Sequence, residues 1–208
     1  MKDVAKHFTR QQGASLVELL IASSLGLVVL ASVTSVFITG QNLASERMKQ
    51  LMLAQDVNDA IRLIKSDVQR AGYNAEGTGS LVLSGAVSTL NVPASNDAIS
   101  YIYEDENSEW RIVKFRLSAS QPQTLQMCVD TVSKGLATMP ADATCGSGTV
   151  STLLDTSHFT LSNFTVTPTV LATSSANSTL LNISLSASLN QSQYSKTVSA
   201  TLKARNWN

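Results

Sequence analysis

The feature that most constrains this chain is a continuous apolar run near its N-terminus. Residues 16–40 carry one charged side chain, Glu18, and their other polar groups are all hydroxyls of serine and threonine. About 25 residues in a helix span roughly 37 Å, which is enough to cross a hydrocarbon core of roughly 30 Å. The hydroxyls can bond to backbone carbonyls one turn back. The run therefore predicts a helix that spans a membrane once.

The residues around this run predict its orientation. Lys2, Lys6 and Arg10 precede it against a single acid, Asp3, so the N-terminus is expected in the cytoplasm and the chain in the inner membrane. Charged residues make up 14% of the chain, well below the usual quarter, and serine and threonine replace them. This composition suits an extracytoplasmic β-rich domain. The net charge of zero gives no field that would attract nucleic acid, so no direct nucleic-acid binding is expected.

The small residues that could form a cleavage site lie before the apolar core. In an ordinary secretory signal they follow the core, and cleavage removes the hydrophobic segment. Here cleavage between Gly13 and Ala14 would remove the basic leader and keep the hydrophobic helix.

The segment QGASLVELLIA, residues 12–22, resembles the class III signal of type IV pilins and type II secretion pseudopilins. The resemblance implies that the prepilin peptidase cuts after Gly13 and N-methylates Ala14. It also implies that Glu18, fifth in the mature chain, pairs with the α-amine of a neighbouring subunit. Ala14 departs from the family, which usually has phenylalanine there. An alternative role for Glu18 is to stabilise the helix N-terminus, where the dipole favours an acid.

Helical periodicity continues beyond the apolar run. Apolar residues recur at spacings of three and four, and charged residues such as Asp59, Arg62 and Asp67 are expected on the solvated faces. The periodic positions are Leu51, Ala54, Val57, Ile61, Ile64 and Val68. Gly72 is expected just after the last turn. This segment predicts the amphipathic half of one long helix, packed on a sheet.

After residue 79 the period changes to that of strands. Short strands are expected at residues 81–83 and 90–92, and a hairpin at 98–103 and 110–117. Further strands are expected at residues 124–129 and 159–166, and the clearest hairpin joins alternating residues around 181–189 and 198–204.

Together these patterns predict an α+β, pilin-like fold: a long N-terminal helix, transmembrane and then amphipathic, packed on an antiparallel sheet. The expected division is a leader at residues 1–13, an assembly helix at 14–40, its amphipathic half at 41–72 and a periplasmic or extracellular β-rich domain at 73–208.

The chain has two cysteines, Cys128 and Cys145. Outside the cytoplasm a disulfide between them is the favoured interpretation, with two buried free thiols as the alternative. A loop of this size would stabilise the fold by roughly 3 kcal/mol.

A second resemblance lies at the end of the helix. Asp67, Arg70, Ala71, Gly72 and Tyr73 match the D-x-x-R-A-G-Y pattern of PilW-type minor pilins, which are similar to J-type pseudopilins of type II secretion. Residues 203–206 also look like their final strand. The resemblance implies a low-abundance subunit that helps to initiate pilus assembly in a tip complex. Its implied partners are other minor pilins, the major pilin, the prepilin peptidase and the inner membrane, and its final location is the pilus at the cell surface.

Two alternatives to that function stay open. The chain could be a J-type pseudopilin, or it could be a tip adhesin whose loops at residues 135–151 or 172–178 recognise a surface.

No residue set indicates an enzyme or a cofactor. His158 lies beside Asp155 and Ser157, but adjacency in sequence does not make a catalytic triad. Four acids in one turn, Glu104, Asp105, Glu106 and Glu109, are weak candidates for calcium ligands. A solvated hairpin tip is the favoured interpretation of that turn, and no metal or cofactor is predicted.

Overall fold

The structure is a computed structural model. It describes residues 13, 15–77, 79–118, 123–134, 145, 148–172, 177–190 and 192–204. Ala14 and most of the two proposed adhesive loops lie outside these described residues. The chain divides into two units between Met48 and Lys49.

One long helix, α1, runs over Leu16–Val68. In the first unit its apolar side chains are exposed, with Leu16 75% and Ile38 52% accessible. The predicted hydroxyl bonds are confirmed: Ser32 Oγ donates to the Val28 carbonyl at 2.8 Å, and Thr34 Oγ1 donates to the Leu30 carbonyl at 2.8 Å. These bonds satisfy the hydroxyls within the helix, so its surface remains apolar.

In the second unit the helix buries one stripe of side chains. These are Leu53, Val57, Ala60, Ile61, Ile64 and Val68, joined at one edge by Asp67. The predicted start of the stripe is wrong, because Leu51 is 66% exposed whereas Leu53 is fully buried. Leu51 precedes the buried Val57 by two spacings of three residues, 51–54–57. At 3.6 residues per turn, these spacings place the Leu51 side chain about 120° around the helix from Val57.

The strands form two antiparallel sheets. The first has the order β1-β2-β3-β4, and the second has the order β5-β6-β7. In the first sheet the strands are β1 (Ala98–Glu104), β2 (Trp110–Leu117), β3 (Leu125–Val132) and β4 (Thr149–Thr152). In the second sheet they are β5 (Phe159–Ala172), β6 (Asn177–Leu189) and β7 (Ser195–Lys203).

Both predicted hairpins are confirmed. Ile102 faces Ile112 in the β1–β2 pair, and Leu181 faces Leu202 in the β6–β7 pair. Sequence analysis missed β4 and the continuation of β5 beyond Val166.

The strands predicted at residues 81–83 and 90–92 are wrong. That segment contains turns, one of them at Gly85 with a positive φ of 81°, and its only described pairing is an isolated bridge between Asn91 and Ser100. Leu81 and Leu83 instead form a second apolar cluster with three residues of β1 and β2. The cluster comprises Leu81, Leu83, Ile102, Trp110 and Ile112. Both faces of β1 are therefore buried, as the burial of all seven residues of β1 shows.

Candidate functional site

The start of the helix holds the predicted processing and pairing residues. Glu18 lies in the first turn of α1, and the Leu19 N–H donates to the Ser15 carbonyl at 3.1 Å. Gly13 is exposed and directly precedes Ala14, which is outside the described residues. In the sequence, Glu18 lies four residues after Ala14, the first residue beyond the predicted cleavage bond. Leader removal, N-methylation and subunit pairing stay predictions.

Around Glu18 the helix presents only apolar and hydroxyl side chains. Leu19 is 67% exposed and Leu20 is 59% exposed. The described residues contain one helix long and apolar enough to cross a membrane. Such a surface has to be covered by lipid or by other protein, and it fits a single-pass inner-membrane anchor.

The end of the helix places the D-x-x-R-A-G-Y residues against β1. The Tyr101 hydroxyl, fully buried, donates a hydrogen bond to Asp67 Oδ2. Burial raises the pKa of Tyr101 well above its ordinary value, so the phenol keeps the proton that it donates. Asp67 is only 7% exposed, so the expectation that it lies on a solvated face is wrong.

Arg70 lies on the solvent side of this carboxylate. Its Nη1 is 3.7 Å from Asp67 Oδ1 and donates to the Tyr103 hydroxyl at 3.5 Å. The guanidinium also lies 5.7 Å from the centroid of the Tyr103 ring, within the range of a cation–π contact. Sequence analysis missed Tyr101 and Tyr103. Their signal was available, because two tyrosines on one face of a buried strand need polar partners.

Gly72 and Tyr73 attach the helix end to β1 through their backbone. The Gly72 N–H donates to the Ile102 carbonyl at 2.8 Å, and the Glu104 N–H donates to the Tyr73 carbonyl at 2.9 Å. Gly72 adopts a φ of +79°, the left-handed conformation that favours glycine.

Gly72→Ala is expected to lower the free energy of unfolding by about 1–3 kcal/mol. The new Cβ would lie 2.6 Å from Thr89 Cγ2, and the positive φ adds backbone strain. Urea unfolding measures the loss. Gly77→Ala is the matched control, because Gly77 has a φ of +64° with nothing within 4 Å of its Cβ position. Equal losses in the two variants would contradict the proposed clash.

Tyr101→Phe is expected to destabilise the fold by about 1–3 kcal/mol, because it leaves the buried Asp67 carboxylate without its donor. Tyr103→Phe should change stability by less, since the hydrogen bond that it removes is long and is donated by an exposed arginine, Arg70. Thermal unfolding of both variants tests this difference. A larger loss in Tyr103→Phe would contradict the role assigned to the Tyr101 hydroxyl.

The four acids of the β1–β2 turn do not assemble as metal ligands. No group of three or more candidate ligands occurs in the part of the chain that the structure describes. Glu104 is buried, where its carboxylate accepts from Lys134 Nζ at 2.8 Å and from the Ala75 N–H at 3.0 Å. The hydrogen bond from Lys134 is the main cause that lowers the pKa of Glu104.

Asp105, beside it, accepts from Arg111 Nε at 2.8 Å and from the N–H groups of Asn107 and Glu109. Both carboxylates are therefore held by hydrogen bonds within the protein.

His158 lies in a local surface cluster. Its Nδ1 is 2.9 Å from Asp155 Oδ2 and 2.8 Å from Ser157 Oγ. The same ring nitrogen faces both groups, so the arrangement differs from a triad, in which the serine and the acid contact different nitrogens.

The Asp155 cluster is expected to make stability depend on acid pH. Hydrogen bonds, first from the Ser157 side chain and then from His158, lower the pKa of Asp155 from 3.8 to about 2. Because the folded pKa is the lower one, this stabilisation is complete above about pH 4 and is lost as pH falls towards 2. Asp155→Asn should remove this part of the slope, which thermal unfolding between pH 5 and 2 can measure. An unchanged slope would contradict the assignment.

The structure joins Cys128 to Cys145 in a disulfide, with their Cα atoms 5.2 Å apart. Cys128 is fully buried in β3, where it faces Val150 of β4.

The long apolar helix and the two antiparallel sheets define the class: a type IV pilin-related protein. The chain belongs to the family described as prepilin peptidase-dependent protein B, which matches residues 46–204, more than half of its length. This is a family of pilin-like structural proteins. No curated protein and no solved structure matched the chain.

Proposed function

We propose that the chain is a minor pilin that takes part in initiating type IV pilus assembly, within a complex of minor pilins at the tip. The observation that carries the proposal is Glu18, a lone acid on a helix surface that is otherwise apolar and exposed. A carboxylate in hydrocarbon is costly, and such residues usually serve a function and have a partner.

The first step of the proposed function is removal of the leader by the prepilin peptidase. The family name states a dependence on this enzyme, and the Gly13–Ala14 bond lies between the basic leader and the helix. Cleavage would create an α-amine at Ala14, which the peptidase would then methylate. That amine is the positive charge that an acid at position 18 of a neighbouring subunit could pair with.

The second step is transfer of the helix from the membrane into the fibre. The exposed apolar surface around Glu18 can be covered by lipid or by helices of other subunits, and the major pilin would polymerise from that complex. Charge pairing favours one register over others, because either charge left unpaired in a low dielectric is unfavourable.

Deleting the gene tests the proposal, with pili per cell counted by electron microscopy. A strong reduction in pilus number is expected, and the intact gene should restore it. A gene encoding Gly13→Asp should not restore it, because the leader would remain attached. Gly40→Ala is the matched control, since a Cβ there meets nothing within 4 Å. Normal pilus numbers with lost protein secretion would indicate a pseudopilin instead.

A second candidate, a surface-binding role at the tip, is favoured by the outward face of the second sheet. Four cross-strand rows on this face carry only hydroxyl or amide side chains. The rows are Thr160–Ser188–Ser195, Asn163–Ser186–Thr197, Thr165–Ser184–Ser199 and Thr167–Asn182–Thr201. Some of these hydroxyls bond across strands, as Ser186 does with Thr197 at 2.8 Å. Such an uncharged face suits a neutral polar surface. Intact pili that no longer adhere after deletion would support this function over assembly.

A further inference from the structure

A groove of about 760 Å³ lies at the end of the helix. This helix-end groove is lined by residues that include Arg70, Tyr73, Tyr103, Glu104, Glu106 and Arg111. Its volume falls within the range of ligand-binding clefts. The D-x-x-R-A-G-Y segment and the β1–β2 hairpin supply its opposite sides, and the proposed function uses neither.

Arg70 brings unused hydrogen-bonding capacity to this groove. A guanidinium has five N–H donors, and among the described residues the side chain of Arg70 donates one bond, to the Tyr103 hydroxyl at 3.5 Å. Arg70 also forms an ion pair with Asp67, but the 3.7 Å between Nη1 and Oδ1 is too long for a hydrogen bond and leaves the N–H donors unused by that carboxylate. The other oxygen of Asp67 is held by Tyr101. The Arg70 side chain is 63% exposed, so its remaining donors are available to a ligand.

Arg111 adds a second guanidinium to the same groove. Its Nε is bonded to Asp105 Oδ2 at 2.8 Å, and its side chain is 39% exposed. This bond leaves the terminal N–H groups of Arg111 without an assigned acceptor in the described part of the chain.

The acids of the groove are mostly neutralised within the protein. Glu104 is paired with Lys134, which also pairs with Glu76, and Asp105 is paired with Arg111. Glu106 lines the groove and has no ion pair among the described residues. The groove therefore contains Arg70, which has N–H donors available to a ligand, and Glu106, whose negative charge would repel an anionic ligand.

We propose that the helix-end groove binds a peptide segment of another pilin subunit through one acidic side chain, which pairs with Arg70. Arginine binds carboxylates through two parallel N–H bonds, and tyrosine and arginine dominate the energetics of protein interfaces. Tyr73, which is 38% exposed, supplies an apolar contact beside the pair. The origin of the segment rests on the proposed function, whereas the carboxylate chemistry of the groove does not.

The test uses the full chain in detergent micelles and a capped peptide, acetyl-Gly-Ser-Glu-Ser-Gly-amide, followed by NMR of arginine and tyrosine side chains. The glutamate peptide should shift the Arg70 and Tyr73 signals, and the matched glutamine peptide should bind at least about tenfold more weakly. Arg70→Gln should weaken binding by a similar factor. Glu106→Gln should strengthen it several-fold, because it removes the opposing charge.

Arg62→Gln is the matched control. Arg62 lies on the same helix, is 83% exposed and pairs with Asp59 at 3.7 Å, but it does not line the groove. Equal binding of the two peptides, equal losses from Arg62→Gln and Arg70→Gln, or tighter binding of inorganic phosphate than of the glutamate peptide would overturn the proposal. If the peptide binds as expected while gene deletion leaves pilus number normal, the assembly function fails and the groove chemistry stands.

Discussion

Glu18→Ala is expected to leave the chain in the inner membrane but to lower its incorporation into pili by at least about tenfold. Insertion should persist, because the substitution removes a polar group from an apolar helix. Incorporation should fall, because the proposed pairing of Glu18 with the α-amine of a neighbouring subunit would be lost in a low dielectric. Quantitative immunoblots of membrane and sheared-pilus fractions measure both effects.

Two further variants separate charge from helix packing. Glu18→Gln keeps the size of the side chain and removes its charge, so it should behave like Glu18→Ala. Ser24→Ala is the matched control in the same apolar segment, since the Ser24 hydroxyl donates to the Ile21 carbonyl of its own helix, at 2.9 Å. Normal incorporation of Glu18→Gln would show that pairing with a positive charge is not the role of Glu18.

Removal of the disulfide by Cys128→Ser with Cys145→Ser is expected to lower the free energy of unfolding by roughly 3 kcal/mol. The bridge joins residues 17 apart in sequence, so breaking it mainly increases the conformational freedom of the unfolded chain. Because Cys128 is fully buried, the serine that replaces it also has the cost of desolvating its hydroxyl. Urea unfolding of the purified protein measures the change.

Reduction of the wild-type protein by dithiothreitol should give a similar but smaller loss, because it opens the bridge without burying serine hydroxyls, and the reductant should not affect the double variant. Mass spectrometry before reduction should find neither thiol free. Free thiols in natively purified protein, or equal stability of the reduced and oxidised forms, would contradict a stabilising role for the disulfide.

Patterns that act over short distances were predictable from the sequence. The apolar run predicts the helix because its hydrophobicity is continuous, and the final hairpin follows from alternation on both sides of a short turn. The phase of the buried stripe was predictable only in part, since Leu51 continues the spacing but not the face. Which side chains are buried depends on how the helix is rotated about its axis against the strands. The spacing of apolar residues at one end of the helix does not specify that rotation.

The residues of the candidate sites were likewise predictable only where their signal is local in the sequence. Glu18 stands out because it is the one acid of an apolar run, and Gly13 stands out because small residues lie just before that run. The residues that bond to each other at the helix end do not stand out in the sequence, because they are far apart in it. Asp67 and Tyr101 are 34 residues apart, and Glu104 and Lys134 are 30 apart.

The sequence by itself therefore determined the long helix, the single acid of its apolar run, the cysteine pair and the two hairpins, because each has a local or periodic signal. Only the tertiary structure decided that the strands split into two sheets and that residues 81–83 cover the first sheet without joining it. It also decided that the helix end is held by buried tyrosine and glutamate side chains. These outcomes depend on which distant surfaces meet, and the free energy of that choice comes from packing and desolvation rather than from neighbours in the chain.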